Sequence, residues 1–97
     1  MDALTFEWDE RKEKANIRKH GVSFSEARSA FFDEDAIQFF DPDHSEDEDR
    51  FILLGMSFKL QTLIVCHCFR EDERIIRIIS ARKADKKEMQ SYWRSRK

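Results

Sequence analysis

Ninety-seven residues, 40% hydrophobic and 39% charged, make one small domain with a densely ionic surface and an expected radius of gyration of about 13 Å. Two cysteines cannot form a disulfide framework, and the longest apolar stretch, around Phe51–Phe58, is far short of a membrane span. The Met1-Asp2-Ala3-Leu4 start lacks both a basic and an apolar leader region, so the expectation is a reduced, cytoplasmic protein with no membrane role. The net charge of -2 conceals a change of sign: residues 1–49 carry 15 Asp/Glu against 6 Lys/Arg, whereas residues 50–97 carry 12 Lys/Arg against 5 Asp/Glu. Such separation points to a polyanion or a charged protein partner; the alternative is a basic helix face that is merely solvated.

Thr5-Phe6-Glu7-Trp8 alternates polar and apolar residues and predicts a short strand. Asp9 is placed to cap a helix running to about Lys19, which His20-Gly21 stops. With only Ala15 and Ile17 to bury, that helix is expected on the outside. Ser23-Phe24-Ser25-Glu26 has the spacing of a capping box, in which Ser23 and Glu26 would satisfy each other's backbone amides. Phe24, Ala27 and Phe31 then form a core-facing stripe. A strand is predicted over Ala36–Phe40, followed by the acidic turn Asp41–Asp49. Three more strands, Arg50–Gly55, Leu60–Phe69 and Glu73–Ala81, are joined by connections short enough to require antiparallel hairpins. Asp85 and Glu88 repeat the capping pattern for a last helix with Met89, Tyr92 and Trp93 on one face. The order predicts an α+β fold: a small antiparallel sheet of four to five strands, two N-terminal helices and one C-terminal helix, in a single domain over residues 1–97.

The segments Phe6-Glu7-Trp8-Asp9, Lys14-Ala15-Asn16 and Lys19-His20-Gly21-Val22-Ser23-Phe24-Ser25-Glu26-Ala27 resemble the opening of the BrnT toxin family. Asp41-Pro42, Arg50-Phe51, Gly55, Ile76-Arg77-Ile78-Ile79-Ser80-Ala81-Arg82-Lys83-Ala84 and Glu88 to Tyr92 continue the match over nearly the whole chain. The resemblance implies a RelE-like fold and the toxin of a type II toxin–antitoxin pair that cleaves RNA without a metal or other cofactor and so arrests translation. It also implies a BrnA-type antitoxin with a ribbon-helix-helix domain, so that DNA is bound only through that partner.

RNA cleavage without a metal uses the substrate's 2′-hydroxyl as nucleophile, and the enzyme must move two protons and stabilise charge on phosphorus. Arginine suits the last task because its planar fork holds two phosphate oxygens. Arg77 is the first candidate, a cation on the apolar ribbon it shares with Ile75 and Ile79; the alternative is a structural pair with an acidic residue. Arg82 and Lys83 follow at the strand end, with Arg50, Arg74 and Lys86 as further RNA-gripping candidates. His67, among apolar strand neighbours, is either a satisfied core histidine or an acid–base group. Tyr92 could stack a base or pack in the core, His20 ends a helix, and Glu26 caps one. If none of these residues does chemistry, the chain is a non-catalytic RNA- or protein-binding module.

Other signals fail on geometry. Alternation turns His67 away from Cys66 and Cys68, so no zinc site is expected. Asp41-Pro42-Asp43-His44-Ser45 begins like a calcium loop but has Glu46 where glycine belongs and Ile52 where the closing Glu belongs, leaving a solvated turn. Gly21 and Gly55, the chain's two glycines, cannot build a phosphate cradle.

Overall fold

The computed structural model describes residues 4–96. Met1-Asp2-Ala3, part of the start considered above for a leader, and Lys97 lie outside the described residues. The elements are β1 (Thr5–Glu7), α1 (Glu10–His20), α2 (Phe24–Ala30), β2 (Ile37–Phe40), a 3-10 turn at Pro42–His44, β3 (Phe51–Met56), β4 (Thr62–Arg70), β5 (Ile75–Lys83) and α3 (Lys86–Ser95). They follow the predicted order. The five strands form one sheet in the order β1-β5-β4-β3-β2. β2, β3, β4 and β5 are antiparallel neighbours, as the short connections require, but β1 lies parallel to β5. The sheet is therefore mixed rather than purely antiparallel, because no tight turn joins β1 to β5 and the chain returns from the far side of the domain. The radius of gyration is 12.9 Å.

One sheet face is covered by α1 and α2. Its core contains Val22, Phe24, Ala27, Leu53, Leu63, Val65, Ile78 and Ala81, with Phe6, Trp8 and Phe31 packed against it. The predicted stripe on α2 is thus confirmed. The helix lies so close to β3 that a Cβ on Gly55 would sit 2.9 Å from the Ala30 carbonyl oxygen and 3.0 Å from the Ala36 Cβ. The other face holds a smaller cluster, in which Tyr92 of α3 meets Leu54 and Ile64. α3 spans only one end of this face.

A bulge decides what the rest of that face carries. Cys66 pairs with Ser80, but His67 pairs with Ile78, so Ile79 is an extra residue in β5. Arg77 and Arg82 are five positions apart and would point to opposite sides of a regular strand. With the extra residue they pair with Cys68 and Ile64, which share a face, and so both arginines project from the same side.

α1 is capped as predicted. The Asp9 carboxylate accepts from Arg11 N and Lys12 N, and Gly21 closes the helix with a left-handed φ of 71°. Its anchor, however, is polar. Ile17 is 44% exposed, whereas Asn16 is buried. Asn16 Nδ2 donates to the Val22 and Ala81 carbonyls, each at 2.8 Å, and Oδ1 accepts from Ala81 N at 3.0 Å. The amide occupies the place of a neighbouring peptide beside β5, beyond the reach of β1, whose pairing covers only Ile75–Arg77.

The capping box at α2 is only half formed. Ser23 Oγ accepts from Glu26 N at 3.0 Å, but the Glu26 side chain turns inward. It is 1% exposed, and Oε2 accepts from Ser57 Oγ and Gln61 Nε2 at 2.7 and 2.8 Å. Glu13 Oε2 from α1 supplies a further acceptor for the helix start, taking the Phe24 N–H at 2.8 Å. At α3 the Asp85–Glu88 box is complete. Of the predicted apolar face of α3 only Tyr92 reaches the core; Met89 and Trp93 stay exposed.

Asn16→Ala would strand the Ala81 N–H and two carbonyls, so we expect a loss of about 2–4 kcal/mol in urea unfolding. A loss below about 1 kcal/mol would show that the tie is dispensable. Acid should also destabilise the fold. The Arg82 guanidinium holds the Glu88 carboxyl below its ordinary 4.5 against the opposing effect of burial. Burial raises Asp33, yet hydrogen bonds from Tyr92, Met56 and Asp35 bring it below its ordinary 3.8. Both folded values are lowered, so the stabilisation is complete above the unfolded values and is lost as pH falls through the folded ones. Urea midpoints should fall as pH drops from about 5 to about 2, and less steeply in Arg82→Ala, which frees Glu88. An unchanged slope in that variant would contradict the assignment.

Candidate functional site

Three layers of residues line up across the uncovered face. Ile52, Cys66 and Ser80 pair across β3, β4 and β5, Ile64 pairs with Arg82, and Cys68, Arg77 and Glu7 pair across β4, β5 and β1. Beside the 3-10 turn the face sinks into a groove of about 230 Å³, lined by Asp41, His44, Arg50, Cys66, Ser80 and Arg82 over an apolar floor of Ile52, Ile64 and Ile79.

The arginines of this face differ in their engagement. Arg77 Nη1 donates to Glu7 Oε2 at 2.5 Å, leaving its other donors uncommitted. The same Glu7 oxygen lies 3.6 Å from Arg70 Nε, and Arg70 Nη2 approaches Glu48 Oε1 at 3.4 Å. Arg82 grips both Glu88 oxygens, at 2.8 and 2.9 Å, which makes it the bolt that fixes the start of α3 as well as a wall of the groove. Arg50 is half-buried and is held by its backbone, through Ser45 and Asp41. Among the described residues its guanidinium has no acidic partner, which makes it the uncommitted cation of the groove.

The other expected residues are dispersed. Arg74 is exposed at the end of the β4–β5 turn, where Glu71, Asp72 and Glu73 all have positive φ. Lys83 pairs with the core-facing Leu63 and so leaves β5 on the side opposite Arg82. Lys86 is exposed in the first turn of α3. His20 is the last residue of α1.

His67 and Tyr92 belong to the interior. His67 is fully buried on the helix-covered face, with Phe31, Phe51 and Phe69 around its ring. Nδ1 lies 3.0 Å from the Val65 carbonyl and Nε2 2.8 Å from the Gln38 side-chain amide. Burial depresses its basicity, with the Val65 hydrogen bond opposing. It is thus a satisfied core histidine on the other side of the sheet from Arg77 and Arg82. Tyr92 is likewise fully buried. Its hydroxyl donates to Asp33 Oδ2 at 2.5 Å, and burial together with that carboxylate pushes its pKa to about 12. Neither its ring nor its proton is presented to a ligand.

Alternation holds through the Cys66-His67-Cys68 run, with the two thiols on the open face and the imidazole opposite. Burial raises the Cys66 thiol and, with Glu48 adding to it, raises Cys68 to about 11. Both remain protonated near neutral pH.

The acidic turn, expected to be merely solvated, is bonded within itself. Asp41 Oδ2 holds His44 Nδ1 at 2.8 Å, with the Asp41 side chain 10% exposed and His44 66% exposed. Asp41 Oδ1 also accepts from Asp43 N at 3.2 Å, and Ser45 Oγ donates to the Asp41 carbonyl. The spacing Asp-Pro-Asp-His was the available signal: proline at the first position of a single helical turn places residues i and i+3 on one side. Asp43, Glu46, Asp47 and Glu48 surround the outer edge of this turn, so the groove has a cationic wall and an acidic rim.

The sequence model of the family described as the ribonuclease toxin BrnT of type II toxin–antitoxin systems matches residues 8–88. Among solved structures, the ribonuclease toxin BrnT of Brucella abortus superposes with a TM-score of 0.65 at 24% identity, covering 87% of this chain and 100% of that one. That likeness is one of fold. No curated protein matches the chain.

Proposed function

The chain belongs to the BrnT family of type II toxin–antitoxin ribonuclease toxins, and from that premise we propose that it cleaves RNA on its open sheet face, without a metal, and thereby stops translation. The observation that carries this reading is the placement of Arg50 and Arg82 around an apolar-floored groove, with Arg77 on the same sheet face beyond the Cys66–Ser80 pair. Arg50 and Arg77 have donors to spare for phosphate oxygens, and they would stabilise the charge that builds on phosphorus as the 2′-oxygen attacks. Arg82 acts mainly by holding α3 and the groove wall in place. Arg74 and Lys86 are exposed cations outside the groove, suited to the flanking backbone of a longer RNA, whereas Lys83 lies on the opposite side of β5 and is left out of this reading.

A type II toxin is paired with an antitoxin protein. We take that partner to be of the BrnA type, bringing the ribbon-helix-helix DNA-binding domain that this chain lacks among its described residues. Exposed Phe32, Phe58, Leu60 and Trp93 supply apolar surface of the kind a protein partner covers. No helix among the described residues is long and apolar enough to cross a membrane.

The test is cleavage of RNA in EDTA by the antitoxin-free protein, with the fragment ends identified. Wild type should yield 2′,3′-cyclic phosphate and 5′-hydroxyl ends, and Arg77→Ala should cut at a rate lower by about 10²–10³-fold. Intact RNA with wild type would leave the binding module as the better reading. Cleavage that EDTA abolishes would refute metal independence.

A further inference from the structure

We propose that His44 is the general base of the cleavage reaction and that Asp41 is its positioning residue; this rests on the reading of the open face as the RNA-cleaving surface. Attack by a 2′-hydroxyl needs a group that takes its proton, and neither arginines nor protonated thiols can do so. Among the residues that line the groove, the remaining candidates are the carboxylate of Asp41 and the imidazole of His44. Asp41 is buried and already committed to His44, Asp43 N and its turn. His44 is the mobile-proton group at the mouth.

The geometry selects a tautomer. With Nδ1 2.8 Å from Asp41 Oδ2, the ring donates its Nδ1–H to the carboxylate, and Nε2 is left as a bare acceptor. The 3-10 turn begins at Pro42 and is capped by Asp41 itself, so one residue both sets the turn and aims the ring. Charged neighbours on the adjoining elements are of both signs: Arg50 and Arg82 on the groove side, Asp43, Glu46, Asp47 and Glu48 on the rim.

The 2′-O–H bond breaks, its proton passing to Nε2, and the 2′-oxygen bonds to phosphorus. The bond from phosphorus to the 5′-oxygen breaks, and that oxygen takes a proton from water. The imidazolium, stabilised by Asp41, then returns its proton to the hydroxide so formed. The products are a 2′,3′-cyclic phosphate and a 5′-hydroxyl.

The experiment measures cleavage of a short RNA across pH by wild type, His44→Gln, His44→Gly and Asp41→Asn, with binding of the fully 2′-O-methylated RNA measured in parallel. We expect His44→Gln to lose about 10²–10⁴-fold in kcat while the uncleavable RNA binds within a few-fold of wild type. The acid-side fall of the pH–rate profile should disappear in His44→Gln, and added imidazole should restore part of the rate of His44→Gly. Asp41→Asn should lower kcat yet keep the acid-side fall. If His44→Gln cleaves within about threefold of wild type while Arg77→Ala is inactive, the base is another group, and the inference fails although the ribonuclease reading stands. If wild type itself leaves RNA intact, that reading fails and takes this inference with it.

Discussion

One extra residue in β5 determines what this protein can present. Without Ile79 bulged out of register, Arg77 and Arg82 would face opposite sides of the sheet, and one of them would be driven into the helix-covered core. The side-chain amide of Asn16 grips both backbone groups of Ala81 two residues beyond the bulge. The bulged strand is therefore clamped from α1 at the point where β1 no longer supports it. A buried polar residue, with every partner found, does here what an apolar anchor could not: it satisfies a strand edge and fixes its register.

Charge is distributed by the same economy of position. The chain is net acidic, and its carboxylates are committed to particular partners, two of them to arginines of the open face. Glu88 completes the α3 cap and binds Arg82, Glu7 steadies Arg77, and Asp33 is committed to Tyr92 and Met56 N. Arg50 is left without an acidic partner among the described residues, inside a groove whose floor is apolar. An unpaired guanidinium beside low-dielectric walls attracts phosphate more strongly than one on an open surface. Under the proposed function, the acidic rim beside it would limit the region where RNA can lie and would direct the backbone toward the β5 side.

The element order, the α2 stripe, three helix N-caps, one C-cap and the hairpins were legible in the sequence, because each rests on local chemistry: Asp9, Ser23 and Asp85 before their helices, Gly21 after one, short polar connections between alternating strands. What the sequence missed or left open shares a cause. The inward turn of Glu26, the core position of His67 and the burial of Tyr92 depend on which sheet face α2 or α3 covers, and that choice is tertiary. The bulge at Ile79 leaves no mark in a run of Ile and Arg, so the shared face of Arg77 and Arg82 could not be read. Asn16 stood in a familiar segment but looked like an ordinary helix-surface residue. His44 was hidden by composition, since an acidic turn reads as solvated until its one imidazole is seen bound to Asp41.

The central claim is that RNA meets the open sheet face and not the helix-covered side. Chemical-shift mapping of the isotope-labelled protein with an uncleavable RNA tests it most directly. Signals of Arg50, Cys66, Ser80 and Arg82 should move together on titration, while Lys12, Arg18 and Ser25 on α1 and α2 stay fixed. Shifts concentrated on α1 and α2, with the groove residues silent, would contradict the account.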